Sequence, residues 1–478
     1  MIDFNNISEY RENNRIEAKK SLGGLPYSIW ETVSSFANTL GGVILLGVVE
    51  KKDHSFEPID LPDPDKLIKL FWKRMNNPRY ISVNMLSGRD VYPLEVDNKH
   101  IVVINVPKAE RFFRPVYIEG NPQQTYRRNG EGDYRCTPAE FQAMVRDASR
   151  QTQDMQLLND MEMSVLDSGS YRSFRRRMKF LRPGHVWEKL SDPEFLAKIG
   201  AAGCDQDGKY HPTAAGLLMF GKFKDIIKVF PDYSLVFKEQ LTKNSKMKDT
   251  IVSGAADWTG NVYDFYFKVY ERLLHQIEIS DYPQSVAQAL REALANCLVN
   301  ADYYGSIGVV ISRKPNFISM TNPGSLRIEK DTALSGGTSD PRNSAMHKMF
   351  SLIDIGEHTG SGIPNIFRVW REQGWSAPDF IEDIDPDRIT MQLPLSSNKY
   401  IDRNRHKRLV SKSEVNVRAK QSIVIYLTDH PSGKAEDIAG YLGVDVPRVL
   451  KLMKSLLSSK MVEKIGEEDD PSYRLKYR

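Results

Sequence analysis

Glu292 and Asn296 stand four residues apart in Arg291–Tyr303, which reads REALANCLVNADY. Leu294, Leu298 and Val299 recur there at helical spacing, so the two polar side chains fall one turn apart on one side of a helix. An amide oxygen is a hard donor that can ligate Mg²⁺, and a carboxylate one turn away can polarise a water. Asn296 is therefore the candidate metal ligand and Glu292 the candidate general base for metal-assisted nucleotide chemistry. The plain alternative is a solvated helix carrying an ordinary acid.

The segments downstream sharpen this reading. Gly308 to Met320 (GVVISRKPNFISM) is β-rich and leads into the turn Asn322-Pro323-Gly324. A loop with Gly336 and Gly337 follows, then Pro341-Arg342-Asn343, then Gly360-Ser361-Gly362-Ile363 at the start of another helical segment. A Gly-x-Gly turn opening a helix brings backbone N–H groups to phosphate oxygens, with the positive end of the helix behind them.

The order REALANCLVNADY, TNPGSLRI, SDPRNSAMHKMF, GEHTGSGIPNI resembles the GHKL-type ATP-binding fold, in the divergent form found in bacterial RecG-related regulators. The resemblance implies ATP with Mg²⁺ as ligand. It gives Glu292 and Asn296 the roles of base and Mg²⁺ ligand, and Gly360, Ser361 and Gly362 the turn around the phosphates. Asn322 and Gly324 fall where the wider superfamily has an Asp-x-Gly that reads the adenine amino group. An amide there can hydrogen-bond adenine but is not the usual carboxylate acceptor, so nucleotide binding is more secure than turnover. No Gly-x-x-x-x-Gly-Lys-Ser/Thr occurs in the chain, so a P-loop motor is excluded.

The N-terminal third has its own pattern. Ile29, Val33, Phe36, Ala37 and Leu40 predict a helix over Tyr27 to Leu40, stopped by Gly41-Gly42, and Val43 to Val49 predicts a buried strand. RIEAKKS, TVSSFANTLGGVILLGVVE, QTYRRNG and TPAEF resemble the Schlafen/AlbA-like domain, across about residues 5 to 145. That family implies nucleic-acid binding, and some of its members are endoribonucleases. The positions matching their acidic cluster are Glu12, Glu17 and Glu50, with Lys19 close by. Three carboxylates around a divalent ion could activate water for phosphodiester cleavage; the structural alternative is a Glu17–Lys19 ion pair. Arg111, Arg114, Arg127 and Arg128 alternate with Phe112, Phe113, Tyr117 and Tyr126, a pattern that can track phosphates and stack on bases. Arg127, Arg128 and Lys19 are the candidate nucleic-acid contacts here.

The chain has 478 residues, a formal net charge of +4, 40% hydrophobic and 27% charged residues. That is globular composition divided among two to four domains, and only mildly basic, so local clusters must carry any case for nucleic acid. Cys136, Cys204 and Cys297 lie far apart and form neither a disulfide framework nor a zinc motif, which points to the cytoplasm. The most apolar run, Gly41 to Val49, is too short to cross a membrane. Gln151 to about Ser168 reads as a polar connector. Residues 402–420 form a basic linker. A last unit has helices over Ser422–Thr428, Ala435–Leu442 and Val446–Leu457, then a hairpin of Met461–Ile465 with Ser472–Lys476. That arrangement predicts a winged helix-turn-helix whose third helix presents Arg448, Lys451 and Lys454 to DNA.

The expected architecture is α+β multidomain: a Schlafen/AlbA-like domain at 1–150, a connector and GHKL-like α/β ATP-binding domain at 151–400, and a linker with a winged helix at 401–478. The expected function is an ATP-binding, DNA-binding transcriptional regulator, with RNA as the alternative partner and a homo-oligomer as the expected state. The rival is a metal-dependent nuclease centred on Glu12, Glu17 and Glu50.

Overall fold

The computed structural model describes residues 12–240, 249–279, 283–356, 360–396, 420, 423, 426, 427, 432–442, 445–458, 461–466 and 471–476. The first domain runs β1 (Ile16–Lys19), α1 (Ile29–Asn38), β2 (Gly42–Leu46), β3 (Val48–Glu50), β4 (Phe56–Pro58), α2 (Pro64–Met75), β5 (Val91–Val96), β6 (Lys99–Val106), β7 (Tyr126–Asn129), β8 (Gly132–Arg135) and α3 (Pro138–Ala148). Its main sheet has the order β1-β2-β6-β5, with β1 parallel to β2 and the other pairs antiparallel. The single strand expected over Val43 to Val49 is broken at Gly47, whose φ of +84° turns the chain from β2 into β3.

Helix α1 packs its apolar side into the core, with Trp30 stacked on Phe71 at 5.5 Å. Its other side is polar yet also buried, because Ser-Ser-Phe-Ala-Asn-Thr is a set of backbone clamps. Asn38 Nδ2 donates to the carbonyls of Val116 (2.7 Å) and Tyr126 (3.0 Å), while its Oδ1 accepts from Val116 N at 2.8 Å. Ser34 Oγ donates to Val116 O at 2.7 Å. Backbone groups that would otherwise be buried unpaired are satisfied this way.

The central region continues with α4 (Ser168–Leu181), α5 (Asp192–Ile199), β9 (Ala202–Cys204), β10 (Tyr210–Pro212), α6 (Ala214–Phe220), α7 (Phe223–Val229), β11 (Leu235–Glu239), β12 (Asp249–Val252), α8 (Val262–Ile279) and α9 (Gln284–Val299). Then come β13 (Val309–Lys314), β14 (Phe317–Pro323), α10 (Lys330–Ser335), α11 (Ser344–Leu352), α12 (Gly362–Glu372), β15 (Asp379–Ile384) and β16 (Asp387–Pro394). The six-stranded sheet has the order β12-β11-β13-β14-β16-β15, parallel only between β11 and β13. One apolar core extends from Leu166 to Leu395, with α8 and α9 packed on the sheet.

The stretch read as a connector is fastened to that core. Leu158 N donates to Pro212 O at 2.9 Å, and the Asp154 carboxylate accepts from Met346 N at 2.9 Å, at the start of α11. Its polar residues are used to bond backbone, which is why they gave no periodic signal.

The C-terminal unit packs helices Ala435–Leu442 and Val446–Ser458 against a three-stranded antiparallel sheet around Ile438, Val449, Leu452, Met453, Val462 and Tyr473. The hairpin pairs Val462–Gly466 with Pro471–Leu475, and Gly433–Lys434 adds the third strand. The basic linker, most of the helix expected over Ser422–Thr428 and the acidic hairpin tip Glu467–Asp470 lie outside the described residues. Among the described residues no helix is long and apolar enough to cross a membrane.

Candidate nucleotide cleft

Helix α9 ends at Val299, where the Asn300 side-chain amide donates to Asn296 O at 2.9 Å and turns the chain out. Ala293, Leu294, Cys297 and Leu298 are buried, leaving Glu292 and Asn296 half-buried on one side. That side opens on a cleft. Both side chains line this one cavity, as their spacing on the helix requires.

The glycine turn arrives at the same place. A Cβ added at Gly362 would stand 3.4 Å from Asn296 Nδ2 and 3.5 Å from Glu292 Oε2, and Gly360 and Gly362 both line the cleft. Gly360 adopts φ +69° with its backbone against that of Thr338, where a Cβ would meet Thr338 O at 2.6 Å. Ser361 is the N-cap of α12 and makes no side-chain cap bond; its carbonyl accepts from Asn365 N at 3.0 Å. Of this turn Gly360, Gly362 and Ile363 line the cleft, whereas Ser361, Pro364 and Asn365 line a neighbouring pocket with Arg291 and Glu292. Gly356 N donates to Glu292 Oε1 at 3.3 Å, tying the carboxylate to the chain before this turn.

The cleft is also lined by the apolar side chains of Val299, Met320, Ile328, Ile363, Phe380, Ile389 and Met391. Asn322 is 6% exposed, and its Nδ2 donates to Pro323 O (3.2 Å) and Asn300 O (3.4 Å). Its amide hydrogens therefore hold the turn after β14, and its oxygen is the group of that amide left to accept from a ligand. Gly324 serves packing. At φ +93° its missing Cβ is the space taken by the Arg342 guanidinium, which a methyl group would approach to 2.1 Å.

The cleft wall also holds Arg327, Asp340 and Arg342, which spacing did not single out although TNPGSLRI and SDPRN contain them. Arg342 forks onto Asp147 at 2.9 and 2.7 Å. Burial works against both charges, but their pairing holds Asp147 below the usual carboxylate range and Arg342 above its ordinary value. Burial brings Arg327 down to about 10, with Asp340 opposing.

The N-terminal acids are arranged differently from the expected metal cradle. Glu17 spends one oxygen on Lys19 Nζ and the other on Arg128 Nη2, each at 2.8 Å. Glu50 pairs with His54 at 3.2 Å and Glu12 accepts from Ala18 N at 3.1 Å. Among the described residues no three acidic, histidine or cysteine side chains are placed to hold a metal ion. Burial, then the charges of Glu17 and Glu50, pushes the Glu12 carboxyl from 4.5 to about 6.

The expected contacts Arg127 and Arg128 point inward. Arg128 is fully buried, bonded to Glu17, to Asp133 at 3.0 Å and to the Asn13 carbonyl. Arg127 joins Glu140 at 3.1 Å and Asp387 at 2.5 Å. A strand arginine placed behind a polar helix face finds carboxylates before it finds solvent, and an aromatic-basic alternation cannot distinguish the two. Lys19 is held by Glu17 and sits within 3.4 Å of Ser28 Oγ. Arg448, Lys451 and Lys454, by contrast, are all exposed on one side of the last helix, behind an Asp445 cap that accepts from Arg448 N at 2.9 Å.

Comparison with known family models finds three matching stretches. Residues 12–137 match the family "Schlafen, AlbA_2", and residues 308–391 match HATPase_c_4, described as "Putative ATP-dependent DNA helicase recG C-terminal". The second match begins downstream of Glu292 and Asn296. Residues 142–236 match DUF8451, a domain of unknown function. No curated protein matches the chain. Similar solved structures include the DIP2311 protein from Corynebacterium diphtheriae, at 15% identity over 97% of this chain and 95% of that one, with a TM-score of 0.43. Another is the N-terminal domain of a "Putative ATP-dependent DNA Helicase RecG-related Protein" from Nitrosomonas europaea, at 30% identity over 28% of this chain and 91% of that one, with a TM-score of 0.22. The chain thus joins a Schlafen AlbA_2 domain at residues 12–137 to a RecG-related C-terminal HATPase_c_4 domain at residues 308–391.

Proposed function

We propose that this protein is a nucleotide-responsive, DNA-binding transcriptional regulator of the cytoplasm, with a GHKL-type ATP site between α9 and α12 and a winged helix at its C-terminus. The observation that carries the reading is the meeting of Glu292 and Asn296 with the Gly360–Gly362 turn in one cleft that apolar side chains also line. The donor set fits a magnesium nucleotide: an amide oxygen for the cation, helix N–H groups for phosphate, apolar side chains for a purine face, and the Asn322 oxygen for an amino group. Bound Mg²⁺ would neutralise phosphate charge. In this reading Asn296 holds the cation, Glu292 polarises a water, and α12 orients the phosphates. The exposed Arg448, Lys451 and Lys454 supply phosphate contacts to DNA, and a homo-oligomer would match a two-fold DNA site. Calorimetric titration with ATP-Mg²⁺ tests the site; saturable binding abolished in Asn296→Ala supports it, and absence of heat or thermal shift in the unaltered protein rejects it.

A second reading, a nuclease, is favoured by one observation: a Glu12 carboxyl at about 6 beside Glu17 and Glu50 is suited to proton transfer near neutral pH. Incubation with labelled RNA and DNA plus Mn²⁺ or Mg²⁺, beside a Glu17→Gln control, decides it. Cleavage abolished in that variant would replace the pure regulator.

A further inference from the structure

We infer that the N-terminal domain forms the rear support of the cleft, with Arg111 and Asp147 as positioning residues for its ligand; the inference rests on reading that cleft as a nucleotide site. The wall strip from Ser325 to Arg342 carries Arg327, Asp340 and Arg342, which line the cavity. Each is held by a charge network that crosses from one domain to the other.

Arg111 donates through Nη1 to the carbonyls of Asp147 (2.7 Å) and Ser149 (2.9 Å), capping the C-terminal end of α3. Its other edge reaches the cleft wall, with Nε and Nη2 on the Asp340 carboxylate at 2.5 and 3.2 Å. Asp340 also forms an ion pair with Arg327 Nη2 at 3.2 Å, so it stands between one arginine from each domain. The reverse polarity occurs two residues on, where Asp147 of α3 takes the Arg342 fork. Arg342 then donates to Asn300 O at 2.8 Å and Ser325 O at 3.1 Å, joining the strip to the end of α9, the helix of Glu292 and Asn296. A third tie is Lys108, whose Nζ reaches Glu382 at 3.0 Å and the Leu326 carbonyl at 3.3 Å.

These groups are shielded from water, Arg111 at 8% and Arg342 at 9% exposure, so salt screens them little and removing one partner strands the other. The backbone of the strip is positioned by side chains of a different domain, as outer groups position the residues that touch a ligand. Thermodynamic reciprocity then requires that a ligand pressing on the strip stabilise the contact of α3 with it.

The test uses the full-length protein with ATP-Mg²⁺. Arg111→Ala and Asp147→Asn are expected to weaken binding ten-fold or more, with Arg111→Lys recovering part of the loss because it keeps the charge opposite Asp340. In the unaltered protein, nucleotide is expected to slow backbone hydrogen exchange at 111–114 and 138–148, a readout that stands even if a variant fails to fold. Unchanged affinity in both variants, or nucleotide bound with no slowing in those segments, overturns the inference and leaves the nucleotide site intact. If the unaltered protein takes up no nucleotide, the reading of the cleft fails and the inference falls with it.

Discussion

Two carboxylates in this molecule are placed for different ends, and the difference is set by what surrounds each. Glu292 is half-buried at the edge of an open cleft beside an amide and a helix N-terminus. Substituting Asn296 by Ala should lower ATP-Mg²⁺ affinity at least ten-fold, while Glu292→Gln should leave binding and remove any turnover; calorimetry and phosphate release separate the two. Glu12 is burdened by burial and by two other carboxylates. Because its folded-state value of about 6 lies above 4.5, the native protein binds more protons than the unfolded chain between those values, so this group's contribution to stability falls as pH rises through that window. Glu12→Gln should flatten that slope, seen as a smaller change in melting temperature between pH 4.5 and 6.5. A variant whose slope matches that of the unaltered protein would mean that the carboxyl titrates normally.

At the scale of elements, what the sequence showed well was periodicity and punctuation. Helix α9, the last two helices and the hairpin stand close to where apolar spacing and turn residues put them, and the β-rich run from Gly308 to Met320 is split into the β13–β14 pair. What it could not show was which way charge points. QTYRRNG reads as an exposed basic strand, yet Arg127 and Arg128 face carboxylates from α3, β1, β8 and the start of β16; only the packing of distant segments decides that. Likewise Gly324 reads as a turn residue with a role in adenine recognition, whereas its lack of a side chain seats Arg342. Gly324→Ala should cost about 3 kcal/mol, since it displaces a buried guanidinium from Asp147 at a positive-φ position, measured as a fall in melting temperature. On the last helix the opposite holds: Arg448, Lys451 and Lys454 are exposed, so replacing all three by Ala should leave stability nearly unchanged. It should also weaken DNA binding across sequences and flatten the dependence of log affinity on log salt by about 0.9 for each phosphate that is no longer neutralised. An unchanged slope would remove this helix from the DNA interface.

On the scale of the whole molecule, the domains are joined where the cleft is walled, so the cleft and the Schlafen AlbA_2 domain share a charged layer made of Arg111, Asp147, Asp340 and Arg342. A linear motif search separates these residues because two lie in each domain. The central claim is that Glu292 and Asn296 on α9 and the Gly360–Gly362 turn enclose the polyphosphate of a nucleotide whose base rests against Met320, Ile389 and Met391. The most direct measurement is the electron density of crystals grown with Mg²⁺ and a non-hydrolysable ATP analogue. The account predicts the cation at Asn296 and phosphate oxygens at the first turn of α12. Analogue bound elsewhere, or a cleft closed by its own apolar side chains at saturating analogue, would contradict it.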